Sequence, residues 1–539
     1  MKIIMKIIFL FTIFADRKLK NIYIMTINGK KQVFTFTAAV LSFFICEASA
    51  QTFKWYQTTE NNEWKQTKVR LNSKGTDGEK LNSDATAAQS AVPFRTFGTT
   101  FNEQDWKAFS MLKEAEQDEI MKNLFSPDGD LHFTRGRISM NANDYALGWY
   151  SCDSVDGDFE LKHFNIDRDK TTIIPLIHHA QKYNSQMRFW ISPWSPPAWM
   201  KINHDYPVLS SKWNTQPKEK DYLLYASPAG GNQSMDEVSP REDMQGTFPH
   251  RLATQDYFIQ DSRYLQTYAN MFGKFVDLYG KEGVVIDRVM YQNEAYSYTV
   301  YPGCAWTPAG TIRFNKDYLI PTLARTNPDV EVYIGTFNTN RKNLVEKILS
   351  GLPSSVKGIG LQWEGRQIMG SLREKHPGLH YICSESECGN GSMDWKAGEH
   401  TFFLISDNLG NGCDEYYNWN FILADNGMSA WGWNQNALIQ VDSKKGSFRY
   451  TPEYFAYKHF SHFLTPGTKM VAYNNKGRER FGNMQRSNEI YLLMFVTPEG
   501  KHIVTAGNFS DKAKAISVAI GKKFLNVSIP AHSFNTFIE

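Results

Sequence analysis

No paired cysteine spacing, no basic stripe and no apolar run long enough to cross a bilayer stands out in this sequence, and each absence excludes a class of protein. Six cysteines in 539 residues are too few and too irregularly spaced for a disulfide framework or a zinc site. Cys46 falls inside an expected leader, which leaves Cys152, Cys304, Cys383, Cys388 and Cys413. That number is odd: one disulfide fits the count, and buried free thiols are the simpler expectation. Net charge is +3 with both signs interspersed, so the electrostatic footprint of a nucleic-acid binder is missing. The apolar stretch Ile3 to Phe14 is shorter than the ~20 residues a spanning helix needs, and no integral membrane span is expected. Repeats and low-complexity tracts are also absent.

Aromatic residues, by contrast, are plentiful. They make up 14% of the chain, with 14 tryptophans, more than a core requires and suited to a groove that stacks sugar rings. The N-terminus has the pattern of a targeting segment. Lys30 and Lys31 precede the apolar stretch Val33 to Ile45, and Ala48-Ser49-Ala50 fits the small-x-small rule for cleavage before Gln51. Met25 would start that signal, leaving residues 1–24 as an upstream extension. Phe43, Phe44 and Ile45 are too bulky for a lipoprotein signal before Cys46. The expectation is a secreted or periplasmic protein released by a cleavable signal peptide.

The length suits a (β/α)8 barrel of roughly 250 to 400 residues with an accessory domain. From Val92, apolar strand-like runs alternate with amphipathic helical stretches. Eight candidate strands result: Phe94 to Phe101, His132 to Met140, Met187 to Pro193, Val284 to Asn293, Glu331 to Phe337, Gly358 to Trp363, Leu379 to Glu385 and Asp414 to Trp419. Helical spacing marks Asp105 to Lys122 and Tyr264 to Tyr279. Asn203 to Thr254 is long, polar and rich in Pro, Gly and Ser, a loop expected over the mouth of the barrel. Past Thr465, five short runs (Tyr491 to Val496, His502 to Ala506, Ala515 to Ala519, Phe524 to Ile529, Phe534 to Ile538) have the cadence of an antiparallel sandwich. The expected fold is therefore α/β: residues 1–50 as extension and signal, 51–91 as the N-terminal part of a side β-sandwich, 92–464 as a (β/α)8 TIM barrel, and 465–539 as the C-terminal sandwich.

Two strand ends carry the chemistry. In DRVMYQNEAYS, Asn293 and Glu294 sit at the polar tip of an apolar run; in LHYICSE, Glu385 does the same. Catalytic groups of such barrels are carried by strand ends and the loops after them. Two carboxyls facing one gap are what glycosidic hydrolysis needs. Glu294 is the candidate acid/base, with Tyr291, Tyr296, Tyr298 and Glu385 to raise its pKa. Glu385 is the candidate nucleophile, which must stay ionised and so wants a cation; Arg137 is the expected one. Glu387, two residues on, is its rival. Asn293 has the right chemistry for a sugar 2-hydroxyl. Ser192 to Lys201 (SPWSPPAWMK) makes a stiff aromatic wall, to which Trp363, Trp395, Trp419, Trp431 and Trp433 could add.

Together the runs RISMNANDYALGWYSCDS, DFELKHFNIDRDKTTIIPLIHHA, SPWSPPAWMK, QNEAYS, SESECG and YTPEYFAYKHFSHFLTPG resemble glycoside hydrolase family 30. The resemblance runs from about Phe94 to Gly467. It implies a barrel with a side β-sandwich, retaining hydrolysis, an acid/base after strand four at Glu294 and a nucleophile after strand seven at Glu385. It also implies Arg137, Asp144, Trp194, Asn293 and Trp419 as sugar contacts, with no metal or organic cofactor. Where glucosylceramidase-like members carry His-Trp-Tyr after strand six, this chain has Gln362-Trp363-Glu364, a departure expected to alter the aglycone side of the cleft. The expected substrate is an oligo- or polysaccharide, a β-linked glucan or glucoside first, with galactoside, fucoside and xylan as alternatives. A carbohydrate-binding relative without turnover is the rival of another class. Oligomeric state is not legible.

Overall fold

The computed structural model describes residues 22–27, 30–35, 52–82, 92–225, 253–474 and 490–539. The chain divides into two units, Met1–Thr52 and Phe53–Glu539. In the first, an antiparallel pair joins Ile22–Ile27 to Lys30–Thr35. The rest of the expected extension and signal peptide, including Ala48 to Ala50, lies outside the described residues.

The second unit is built on a closed barrel of eight parallel strands. In chain order these are β1 (Thr96–Phe101), β2 (Arg135–Ile138), β3 (Arg188–Ile191), β4 (Ile286–Val289), β5 (Glu331–Phe337), β6 (Gly358–Gln362), β7 (His380–Glu385) and β8 (Glu415–Asn418). Closure is made by β8 on β1, from Glu415 opposite Thr96 to Asn418 opposite Thr99. All eight lie inside the runs expected from sequence. Their near-continuous apolar character has a physical origin, since a parallel barrel strand is covered on both faces.

The lower barrel is filled by Trp190, Met290, Tyr333, Ile382 and Tyr417, around a buried ion pair. Arg288 grips Glu415 through Nη1 at 2.7 Å and Nη2 at 3.0 Å. That end is structural, and the opposite end carries the long loops.

Helical packing covers the outside, with Leu265, Tyr268, Phe272 and Phe275 of Ser262–Lys281 turned inward. The single helix expected over Asp105 to Lys122 is two, Glu103–Phe109 and Glu114–Phe125. The reason is local: the Glu116 carboxylate accepts from the Lys113 N–H at 3.0 Å and starts a new helix there. After β8, Ile422–Ala424, Ile439–Asp442 and Ser447–Tyr450 form a small three-stranded sheet, which the sequence reading did not anticipate. Its first connection carries Trp431 and Trp433 to the barrel mouth.

The side sandwich draws on both ends of the unit. One sheet has six strands in the order Lys469–Tyr473, Ile490–Val496, His502–Asn508, Ser533–Ile538, Thr52–Thr59 and Asn62–Arg70. The other joins Lys523–Ile529, Lys514–Ile520 and Glu79–Leu81. Phe53, Leu81, Leu492, Val504, Ile516, Val518, Leu525 and Phe537 share its core. The sandwich is not purely antiparallel, because Glu79–Leu81 runs parallel to Ile516–Val518. All five cysteines beyond Cys46 are buried and free. Among the described residues, no helix is long and apolar enough to cross a membrane.

Candidate active site

Every candidate residue sits at the C-terminal end of a barrel strand or in the segment that follows it. Arg137 lies in β2 with its side chain fully buried, and such a guanidinium must be paired. Its Nη1 donates to Glu385 Oε2 at 2.6 Å, and its Nη2 donates to Asn293 Oδ1 at 2.8 Å. Ser192 Oγ, just past β3, accepts from the same guanidinium at 3.1 and 3.3 Å. The Trp194 ring lies below it, 4.4 Å from the guanidinium carbon to the ring centroid. One arginine thus ties the ends of β2, β3, β4 and β7 together.

Glu385 closes β7. Besides Arg137 it accepts from Trp363 Nε1 at 3.1 Å. Trp363 follows β6 in a left-handed backbone conformation, φ +48°. Such a conformation is strained for a bulky residue and clusters at functional positions. Glu294 shares it, with φ +46°. Its backbone N–H donates to the Thr336 carbonyl at 3.2 Å and to Thr336 Oγ1 at 3.3 Å, which fixes the turn after β4.

Burial, and next the charge of Glu385, push the Glu294 pKa up to about 7. Gln362 acts against this rise: its Nε2 donates to Glu294 Oε1 at 2.9 Å and to Asn293 Oδ1 at 3.2 Å. Its own oxygen accepts from Ser384 Oγ at 2.9 Å. The departure at Gln362 therefore touches Glu294 itself, not only the aglycone side.

Asp144, in the segment after β2, completes the group. It is buried with Oδ1 unbonded. Burial and then the charges of Glu385 and Glu294 push its pKa well above the ordinary value. Trp194 stacks on Trp419 with centroids 5.2 Å apart, and its Nε1 is likewise buried and unbonded. Buried polar atoms without a protein partner at the floor of a cleft suit the hydroxyls of a bound sugar.

An aromatic cluster walls this floor: Tyr145, Trp194, Tyr206, Tyr301, Trp419 and Trp431, with Trp149, Trp363 and Trp433 packed against it. Three sequence expectations change here. Trp395 is no part of the wall, since it stacks on Phe534 of the sandwich at 4.8 Å. Glu387 is turned away from the cleft because β7 ends at Glu385 and alternation ends with it. It binds Arg366 and His400, each at 2.9 Å. Tyr291, Tyr296 and Tyr298 do not crowd Glu294. Tyr291 bonds Thr311, Tyr296 stacks on Phe337, and Tyr298 accepts from the Ala253 N–H. Tyr301 takes that place, its pKa raised by burial and by Glu294, Asp144 and Glu385.

The described part of the long loop, residues 203–225, reaches the mouth as expected; residues 226–252 lie outside the described residues. Tyr206 stacks on Trp149 with centroids 4.7 Å apart. Buried Lys201 holds its start by donating to the carbonyls of Tyr206, Pro207 and Gly303 at 2.7 to 3.0 Å. The sequence reading missed Tyr206, Tyr301 and Ser192 as site residues. Ser192 and Tyr206 lie within stretches already singled out, whereas Tyr301, four residues past DRVMYQNEAYS, carried no local signal.

Comparison with known proteins places this arrangement. The family model described as "Glycosyl hydrolase family 30 TIM-barrel domain" matches residues 94–223 and 253–464. The chain is 24% identical over 455 residues to lysosomal acid glucosylceramidase of Mus musculus, covering 79% of this chain and 77% of that protein. It is 20% identical over 471 residues to endo-1,6-beta-D-glucanase neg1 of Aspergillus fumigatus, covering 82% and 84%. The fold is shared with SrfJ from Salmonella typhimurium, at TM-score 0.73 and 19% identity over 91% of this chain and 99% of that one. The chain belongs to glycosyl hydrolase family 30 and is a β-glycoside hydrolase.

Proposed function

We propose that this enzyme is an exported, retaining hydrolase of β-linked glucan, with Glu385 as nucleophile and Glu294 as acid/base. The observation that carries the assignment is the unequal treatment of the two carboxyls. Glu385 accepts from a guanidinium and an indole N–H, donors that fix its carboxylate in place for attack on the anomeric carbon. Glu294 is pushed up to about 7, which keeps it protonated for donation to the departing oxygen. Attack on the anomeric carbon neutralises Glu385 as an ester and removes one of the charges that raised Glu294. Glu294, having given its proton to the departing oxygen, is then more easily kept ionised and serves as base for the incoming water. Asn293 has its Oδ1 occupied by Arg137, Gln362 and Thr336, so its NH2 is oriented to donate to the sugar 2-hydroxyl.

Glucan is favoured because the relatives are named for glucosylceramide and for 1,6-β-glucan, both glucosyl compounds. A polymer is favoured over a lipid because exposed Glu364 follows Trp363 at the cleft, and a carboxylate there is costly to desolvate against an alkyl chain. Export rests on the Lys30 to Ala50 pattern. The test is hydrolysis of nitrophenyl β-glycosides and 1,6-β-glucan, with the anomer of the first product read by NMR and the exported chain sequenced from its first residue. The β-anomer, glucoside preference, and a loss of about 10⁴-fold or more in Glu385→Gln are expected, with Gln51 first. The α-anomer would refute retention. Preference for galactoside, fucoside or xylan would refute glucan, and equal null rates in wild type and Glu385→Gln would make the protein a binder.

A further inference from the structure

All the tryptophans but one are buried or half-buried, and the exception is Trp213, 49% exposed. Single exposed apolar residues are ordinary, but Trp213 is not isolated. Its indole edge lies against Gly432, where a Cβ would fall 2.3 Å from Trp213 Cε2. Gly432 has φ +89°, a conformation that favours glycine; of its neighbours, Trp431 belongs to the aromatic cluster that contains Trp194 and Trp419, and Trp433 packs against that cluster. Through Gly432 the aromatic cluster under Arg137 is therefore joined to an indole that faces solvent.

The position is also built, not trailing. Asn214 Nδ2 donates to the carbonyls of Leu209 at 2.8 Å and Val300 at 2.7 Å, which ties the segment to the loop after β4. Ser211 Oγ accepts from the Trp213 N–H at 3.1 Å. A rigid indole presented to water loses little conformational freedom when a flat partner stacks on it. Lys212 Nζ lies 5.5 Å from the ring centroid, a flexible head that a neutral ring can displace. Ser211, Lys212 and Asn214 frame the indole with polar groups, which suits a hydroxyl-edged pyranose and not an alkyl chain.

We propose that Trp213 is an outer platform that binds a further sugar ring of a polymeric substrate, beyond the rings held at Glu294 and Glu385. The proposal rests on the glucan reading and extends it to a preference for long chains. Binding is measured calorimetrically in the full-length Glu385→Gln protein, with di- and hexasaccharides of both the β-1,6-glucan and the β-1,4-xylan series. The hexasaccharide is expected to bind about tenfold more tightly than the disaccharide. Adding Trp213→Ala should remove most of that gain, and Trp213→Phe should keep most of it, with thermal unfolding confirming that both variants fold. A Trp213-dependent gain confined to the xylan series would keep the platform and refute glucan. The platform is overturned if the gain is absent, if it survives Trp213→Ala, or if that variant weakens the disaccharide as much as the hexasaccharide.

Discussion

Glu294 and Glu415 are both buried glutamates of the barrel, and although burial pushes both carboxyls up, their net shifts run in opposite directions. Glu415 is held by Arg288 and by Arg95 Nη1 at 2.8 Å, with Tyr417 Oη donating at 2.7 Å; these cations keep its carboxyl well below the usual range. Its contribution to stability is present above the ordinary glutamate range and is lost only as pH falls through its depressed value. Glu294 has no cation of its own and sits at about 7 against an ordinary 4.5. Its contribution is fully present below the ordinary value and is lost as pH rises through 7. Glu294→Gln should therefore unfold at higher urea than wild type at pH 8, by at most about 3 kcal/mol, with the gap closing near pH 4. Glu415→Gln should cost about 3 to 5 kcal/mol at neutral pH, because it leaves Arg288 buried against a neutral partner. Urea titrations at the two pH values check both, and a Glu294→Gln protein weaker than wild type at pH 8 would refute the account. The same asymmetry explains what sequence could show of the site. Glu294 and Glu385 were legible as the polar ends of apolar runs, whereas Gln362 as the donor to Glu294 and Tyr301 as a ring near Glu294 depend on which strand ends meet.

Barrel strands owe their spacing to glycines opposite large side chains. A Cβ on Gly98 of β1 would fall 2.5 Å from the Arg135 carbonyl oxygen and 2.6 Å from Tyr417 Cε1. On Gly136 of β2 it would meet Phe189 Cε1 at 2.4 Å. A backbone oxygen in a closed barrel cannot retreat without moving its strand, so Gly98→Ala should cost about 1 to 3 kcal/mol. Gly280, near the end of the helix Ser262–Lys281, has nothing within 4 Å of its added Cβ, and Gly280→Ala should stabilise by about 0.5 to 1 kcal/mol. Thermal melts of the two variants should move in opposite directions; a shared sign would sink the packing argument. Strands of this kind are readable because two-sided burial makes them continuous apolar runs. The sheet of Ile422–Ala424, Ile439–Asp442 and Ser447–Tyr450 was not readable: its strands have three or four residues, too few for periodicity to register. The break between Glu103–Phe109 and Glu114–Phe125 was hidden for the opposite reason, since apolar spacing persists across it while capping at Lys113 ends it.

At the scale of the whole molecule, the sandwich is the seat of the barrel's last two long helices. Phe534 stacks on Trp395 at 4.8 Å and on Phe402 at 5.2 Å, both from Trp395–Gly410. His459, buried in Pro452–Ser461, lies between the hydroxyls of Thr58 and Thr536, each 2.9 Å away. Burial pushes its pKa well below the ordinary histidine value, and a neutral ring, one nitrogen donating and one accepting, suits that position. Thr58 comes from the start of the unit and Thr536 from its end, so one histidine fastens both termini to the barrel. Removing residues 465–539 would take away the strand that pairs with Thr52–Thr59, bare Phe402 and leave His459 without one of its partners. Exposed contiguous apolar surface of this kind drives aggregation. Residues 92–464 expressed alone should therefore be insoluble or lack near-ultraviolet circular dichroism, whereas residues 51–539 should be soluble and folded. A soluble barrel fragment with native-like near-ultraviolet signal and glycosidase activity would show that the sandwich is an accessory and not part of the barrel's own core.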